Sequence, residues 1–295
     1  NGHIDVVPAG DEEFAPRIEG NKIYGRGTAD MKGGVAAMIF ALLRLADGKE
    51  KPDCALILNS DEEIGGQNGV GYLVEKENLR PGFVLSPDGP CGDKLTIITK
   101  EKGVAWLEIS AVGKSAHASQ SYLGKNAIEL LFLAWQKIRD MVPPSADTWT
   151  TSAIISHIST SNSGYNCVPK DARAVVDLRF TDDFAATPDE VVEKIKRVLP
   201  EGTSIKKIAG GEILNTDDNN PQVLKLQKIM NKFCGYDVPI GFCHGSSDVR
   251  FFGSIGIPAA LMGVFGANCH ALDEWADLDT LVLLEKSIFE FTKTF

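Results

Sequence analysis

No apolar run in this chain of 295 residues approaches the roughly 20 residues that a membrane-spanning helix needs. The longest run, around 128–135, belongs to a helix. C-x-x-C pairing is missing too. The six cysteines (Cys54, Cys91, Cys167, Cys234, Cys243 and Cys269) are scattered, and in an enzyme-sized chain that pattern leads us to expect reduced thiols and a cytoplasmic setting. Positive charge is in short supply: 30 Lys and Arg face 40 Asp and Glu, for a formal net charge of -10. Such a balance argues against nucleic acid or an anionic membrane as partner. The glycine-rich run 25–34 holds neither G-x-G-x-x-G nor G-x-x-x-x-G-K-[ST], so a phosphate loop is a weak reading of it. Internal repeats and low-complexity segments are absent. The apolar residues that should lead a strand up to His3 are missing as well. The sequence therefore reads as truncated at its start, beyond which any targeting segment would lie. Expressed alone, such a chain is expected to melt broadly or at low temperature.

What is present centres on Asp30. Glycines crowd both sides of it, and Val35, Met38, Ile39, Leu42 and Leu43 then repeat at the spacing of one buried helix face. A carboxylate on a tight loop before a helix is either a cap or a ligand. Its company favours a ligand: His3 and Asp5 upstream, Asp61-Glu62-Glu63 and Asp88 downstream, and His270 near the end.

The pattern gives these residues their places. His3 and Asp5 end a strand, where residues two apart face the same side. A hairpin turning at Gly20-Asn21 follows, then the helix after Asp30, ending near Asp47-Gly48. The apolar run 54–58 reads as a strand buried on both faces. A short helix spans 69–75, and the strand 83–85 leads to Asp88. Strand, helix, strand, helix, strand implies a parallel sheet with right-handed crossovers. Sites in such sheets form beyond the carboxyl ends of the strands, which is where His3, Asp5, Glu62, Glu63 and Asp88 fall.

From about residue 95 the texture changes to half-exposed alternation. Helices at 126–141 and 188–199, the second opened by the capping box Thr187-Pro188-Asp189-Glu190, separate strands near 153–158, 173–180 and 204–208. Strand-helix-strand-strand-helix-strand is the split βαβ, ferredoxin-like order. We therefore expect a first domain of 1–97 with 211–295 and an inserted domain of 98–210. The first resumes with a helix at 222–234, a strand at 257–262 and a closing helix at 278–294 that buries Leu281, Leu284, Ile288 and Phe291.

Two histidines and several carboxylates, with no thiolate among them, describe a mixed nitrogen and oxygen site suited to Zn²⁺, with Co²⁺ or Mn²⁺ as alternatives. Two cations need a shared carboxylate, and Asp30 in its glycine-flanked loop is the natural bridge.

Gly2-His3-Ile4-Asp5-Val6-Val7-Pro8, Gly25-Arg26-Gly27-Thr28-Ala29-Asp30-Met31-Lys32-Gly33-Gly34 and Asp61-Glu62-Glu63-Ile64-Gly65-Gly66 resemble the motifs of the M20 family of metallopeptidases and deacylases. The likeness covers essentially the whole chain. It implies an α/β protein: a three-layer αβα metallohydrolase catalytic domain with a mainly parallel sheet, plus an inserted ferredoxin-like α+β dimerisation (lid) domain. It also implies that an N-terminal segment of the catalytic domain is absent here. By the same resemblance His3 and Asp88 hold one metal ion, Glu63 and His270 hold the other, and Asp30 bridges them. Glu62 is then the general base acting on a metal-bound water, and Asp5 orients the ligand His3. Gly113-Lys114-Ser115-Ala116-His117-Ala118-Ser119 resembles the dimerisation-domain motif, whose His reaches a partner's active site and steadies the oxyanion. Ser121 stands where that motif usually has Pro. Asn166 and Arg179 resemble lid residues that close on the substrate carboxylate, and Gly245 and Ser246 resemble a loop at the same end of the substrate.

Plainer readings stand beside these. Arg179 has Asp177 and Asp182 as neighbours to pair with, Arg250 reads as structural, His157 and His244 match no role, and Cys269 reads as a buried thiol. The expectation is a zinc-dependent amidohydrolase acting on N-acyl amino acids of the acetylornithine or succinyl-diaminopimelate type and working as a homodimer. An M20-type dipeptidase or carboxypeptidase is the alternative, and a catalytically silent binding or scaffold protein is the alternative from another class.

Overall fold

The strand Ala259–Met262 shows how the first half of the molecule is layered. Its side chains alternate between two cores. Ala260 and Met262 join Val35, Met38, Ala41, Leu284 and Ile288 in one cluster, whereas Ala259 and Leu261 join Val70, Val74, Val84 and Phe252 in another. A strand apolar on both faces needs helices on both sides. Here they are Gly33–Asp47, Pro221–Cys234 and Leu278–Thr292 on one face, and Val70–Glu75 with Arg250–Gly253 on the other. Each large side chain fully buried in this way contributes about 1.5–3 kcal/mol.

The computed structural model describes residues 1–48, 52–142 and 148–295. It divides into two compact units, Asn1–Glu101 with Leu214–Phe295, and Lys102–Ile213. The first boundary therefore falls after Glu101 rather than at 97/98. The strand Ile97–Glu101 pairs with Ile240–Cys243 and Ala259–Met262 and so belongs to the first unit. No helix among the described residues is long and apolar enough to cross a membrane.

In the first unit, the strand Gly2–His3 pairs with Leu58–Asn59, Val84–Ser86 with Ala259–Met262, and Ile240–Cys243 with Ile97–Glu101, all parallel. Ile97–Glu101 also pairs antiparallel with Ala259–Met262 and with Leu214–Asn215. The parallel strands expected in one sheet thus lie in two, Gly2–His3 with Leu58–Asn59 in a two-stranded sheet and Val84–Ser86 in a five-stranded one that the antiparallel strand Ile97–Glu101 completes. The run 54–58, expected to be buried on both faces, is not: Cys54, Ala55 and Leu58 are exposed, and Leu58–Asn59 alone is laddered, to Gly2–His3. In the closing helix Leu284, Ile288 and Phe291 are buried as the spacing predicts, with Leu281 packed partly buried against them.

The second unit is an antiparallel sheet in the order Thr203–Gly211, Gly103–Val112, Asp171–Phe180, Ser152–Ser159. Alternate residues Ala105, Leu107, Ile109 and Ala111 pack with Leu130, Leu131, Ile138, Val191 and Ile195 from the helices Ala127–Met141 and Pro188–Lys196. Both helix starts are capped, the second as its capping box predicts: Asn126 accepts the amide of Ile128 at 3.0 Å and Thr187 that of Glu190 at 3.2 Å.

One expectation about the thiols is overturned. Cys91 and Cys269 form a disulfide across a sequence separation of 178 residues. That proximity is created by the fold, so spacing along the chain carries no trace of it.

Candidate metal centre

Each candidate ligand in the first unit is placed by a backbone feature. His3 ends the strand Gly2–His3, and Asp88 follows the strand Val84–Ser86. Glu62 and Glu63 begin a single turn, Glu62–Ile64, directly after the strand Leu58–Asn59. Asp30 lies in the turn before the helix Gly33–Asp47. That turn is entered through Gly27 at φ +85°, a conformation L side chains rarely adopt. Gly34 lets the helix start approach the Asp88 loop, since a Cβ there would stand 2.8 Å from Pro87. His270 sits in the loop between the strands Gly266–Ala267 and Trp275–Asp277, itself at φ +64°.

These elements converge on Asp30. One of its oxygens, Oδ1, is 3.2 Å from His3 Nε2, and the other, Oδ2, is 3.0 Å from His270 Nε2. His3 Nε2 also stands 3.7 Å from Asp88, and His270 Nε2 stands 3.2 Å from Glu63. Three overlapping sets of possible ligand atoms, each spanning no more than 4.8 Å, result: His3 with Asp30 and Asp88, Asp30 with Glu63 and His270, and His3 with Glu62 and Glu63. The donors are imidazole nitrogens and carboxylate oxygens throughout, which fits a pair of Zn²⁺-like cations sharing one carboxylate.

Asp5 holds His3 in an unanticipated way. The atom nearest His3 Nδ1 is the main-chain oxygen of Asp5 at 3.0 Å, with the carboxylate at 3.5 Å. That carboxylate accepts the amide of Glu63 at 3.1 Å, so Asp5 fixes two candidate ligands at once. The Glu62–Glu63 turn is braced from behind as well. Arg250 is buried and donates to the carbonyls of Ser247 and Gly65, both at 2.7 Å, in keeping with its structural reading. Asp61 accepts the amides of Asn68 and Gly69, and Asn59 donates to Asp248.

The electrostatics show the stress of gathering so many carboxylates. Burial opposes charge on His3, yet hydrogen bonds to Asp30 and Asp88 and the charges of Asp88 and Glu62 push its pKa up to about 12. Glu62 is pushed up to about 9, by burial first and then by Asp88 and Asp248. Burial likewise raises Asp88 and Glu63. Asp30 is half-buried, but His3 and His270 hold it below the usual carboxylate range. Such a cluster calls for positive charge, which protons or divalent cations can supply.

The remaining candidates lie elsewhere or in other company. Within the first unit, Gly245 donates its amide to Cys243 Sγ at 3.3 Å, and Ser246 Oγ is buried without a hydrogen-bond partner among the described residues. In the second unit, His117 is exposed and caps the turn Ala118–Leu123, its Nδ1 2.8 Å from Ser119 Oγ. The carbonyl of Asn166 accepts the amide of Ala118, which puts Asn166 beside His117. Arg179 makes a two-pronged pair with Asp177 at 2.8 and 3.0 Å, the plainer of its two readings. Sequence reasoning missed Glu274, whose buried carboxylate takes four hydrogen bonds from the loop carrying Asp30. Its only signal in the sequence was its nearness to His270.

Comparison with known proteins gives the family. The profile of peptidase family M20/M25/M40 matches residues 1–293. A succinyl-diaminopimelate desuccinylase of Rhizorhabdus wittichii is 29% identical over 287 residues, covering 92% of this chain and 74% of its own length. One from Gluconobacter oxydans is 29% identical over 306 residues, covering 98% and 79%. Among solved structures, a tripeptidase from Staphylococcus aureus matches with a TM-score of 0.80 at 21% identity, over 99% of this chain and 79% of that one. An M20 family metallo-carboxypeptidase from Sulfolobus solfataricus matches with a TM-score of 0.79 at 20% identity, over 99% and 83%.

Proposed function

The chain belongs to peptidase family M20/M25/M40 and is a metallohydrolase of that family; from that premise we propose a two-zinc amidohydrolase that removes the acyl group from an N-acyl amino acid. The observation that carries the reading is Asp30 offering its two oxygens to two separate histidine-containing clusters. His3 and Asp88 would hold one cation, Glu63 and His270 the other, with Asp30 shared. When bound, such cations polarise an amide carbonyl and make a water acidic enough to attack at neutral pH. Glu62 takes the proton from the attacking water and later delivers it to the leaving amine. Asp5 keeps His3 and Glu63 in place meanwhile.

The second unit supplies the rest. The partner subunit's His117 steadies the developing oxyanion, in a homodimer formed through this unit, whose edge strand Ser152–Ser159 leaves Ile154 and Ile158 exposed. Asn166 and Arg179 of this unit serve the substrate carboxylate, Arg179 by exchanging Asp177 for it; Gly245 and Ser246, which belong to the first unit, are the other candidates for that group. Deacylation is favoured over peptide cleavage because the curated relatives are named desuccinylases. The structural neighbours, named as peptidases, speak for the fold.

The test is a hydrolysis panel on protein reconstituted with Zn²⁺, Co²⁺ or Mn²⁺. It compares N-succinyl-diaminopimelate, N-acetyl-ornithine, other N-acyl amino acids and dipeptides. Turnover confined to dipeptides would replace the deacylase reading with a peptidase. Bound metal with no turnover on any of them would favour a silent binding protein.

A further inference from the structure

We propose that Glu274 is a positioning residue that locks the shared ligand Asp30 to the loop carrying His270, and so sets the affinity for the second cation; this rests on the two-cation reading above. The Glu274 side chain is 1% exposed. Its Oε2 accepts Arg26 Nη1 at 2.7 Å and the amide of Gly27 at 3.0 Å, while its Oε1 accepts the amides of Ala29 at 2.9 Å and Asp30 at 3.1 Å. With both oxygens occupied by N–H donors, Glu274 has no free side to offer a cation, so its part is to hold rather than to ligate.

What it holds is the backbone of the bridging residue itself. Main-chain bonds reinforce the grip: the amide of Gly25 donates to the carbonyl of Glu274 at 2.9 Å, and Arg26 Nη2 reaches the carbonyl of Ala271 at 3.0 Å, next to His270. The strand Trp275–Asp277 pairs with Lys22–Tyr24, so both loops spring from one ladder and are clamped again beyond it. His270 stands on a loop with positive φ at Asn268, His270 and Asp273, a backbone that persists only where its surroundings over-determine it. A carboxylate suits this place because it accepts on both oxygens. A carboxamide presents an NH₂ group to half of the same donors.

The experiment uses Glu274→Gln and Glu274→Asp in the full chain. It reads amide exchange at Gly27, Ala29 and Asp30 in metal-free protein, Co²⁺ titration with its visible spectrum, and kcat and KM on the best substrate. A folded Glu274→Gln should bind the first Co²⁺ as the parent does and the second roughly 10–100-fold more weakly. Exchange at Ala29 and Asp30 should quicken, kcat should fall with little change in KM, and excess metal should restore turnover, with Glu274→Asp in between. Two cations bound by folded Glu274→Gln at parental affinity, with an unchanged Co²⁺ spectrum, would overturn the proposal alone. Should Glu274→Gln fail to fold, the parent decides it: protected amides at Ala29 and Asp30 support the clamp, and freely exchanging ones refute it. A parent that binds no cation overturns the hydrolase reading and this one with it.

Discussion

Cys269, which directly precedes His270, is joined by a disulfide to Cys91, close after Asp88 in the chain. Two candidate ligand loops 178 residues apart are thereby tied covalently. Treatment with a dithiol should lower the melting temperature, since a cross-link over so long a loop contributes about 2–4 kcal/mol. Cys91→Ser should reproduce the loss and make it insensitive to the dithiol. Equal melting temperatures with and without reductant, by differential scanning calorimetry, would rule out a stabilising bond.

Asp30→Ala should abolish paired binding, because both histidines face this one carboxylate. Elemental analysis should find at most one cation per chain where the parent holds two, and kcat should fall below detection. Chelation of the parent should destabilise it by several degrees, as a ligand that binds only the folded state stabilises by mass action.

Glu62→Gln conserves volume and removes the base while leaving the ligand clusters His3–Asp30–Asp88 and Asp30–Glu63–His270 intact. Metal content should stay at the parental level while kcat drops by about 10²–10⁴. Loss of metal along with activity would recast Glu62 as a ligand.

His117→Ala should cost about 10²–10³ in kcat. Neither it nor Glu62→Gln alone should turn over substrate appreciably, but refolding the two together should recover activity. In the mixed dimer one site combines an intact Glu62 with an intact His117. Mixtures no better than the weighted sum of their components would mean that His117 does not act across a dimer.

Glu101 gives a pH prediction. Burial, with the charge of Asp88 added, pushes it up to about 8, against hydrogen bonds from Ser247 Oγ at 2.9 Å and its amide at 3.2 Å. A carboxyl raised on folding stabilises fully below its unfolded pKa, and that contribution is lost as pH climbs through the folded value. Metal-free protein should therefore lose stability between about pH 4.5 and 8. Glu101→Gln, which still accepts from Ser247, should show a shallower decline. Identical slopes for the two proteins in urea melts across that range would exclude Glu101 as the cause.

Much of this protein was legible in its sequence because local rules govern those parts. The helix after Asp30 followed from apolar spacing, although Ile39 and Leu43 of its expected buried face are exposed, and the cap at Thr187 followed from residue type. The order of the second unit followed from alternating patterns. Candidate ligands could be named because strand ends in α/β sheets are where side chains gather, and motif resemblance then gave each one a role. What failed depends on partners distant in the chain. Cys91 met Cys269 only through the fold. Glu274 belongs with these. Sequence alone determined which chemical groups this chain could bring to a metal pair, since that is a matter of residue type and strand position. Tertiary structure alone decided how they are held, because a buried carboxylate's role is set by the donors packed around it, and those come from some 245 residues away.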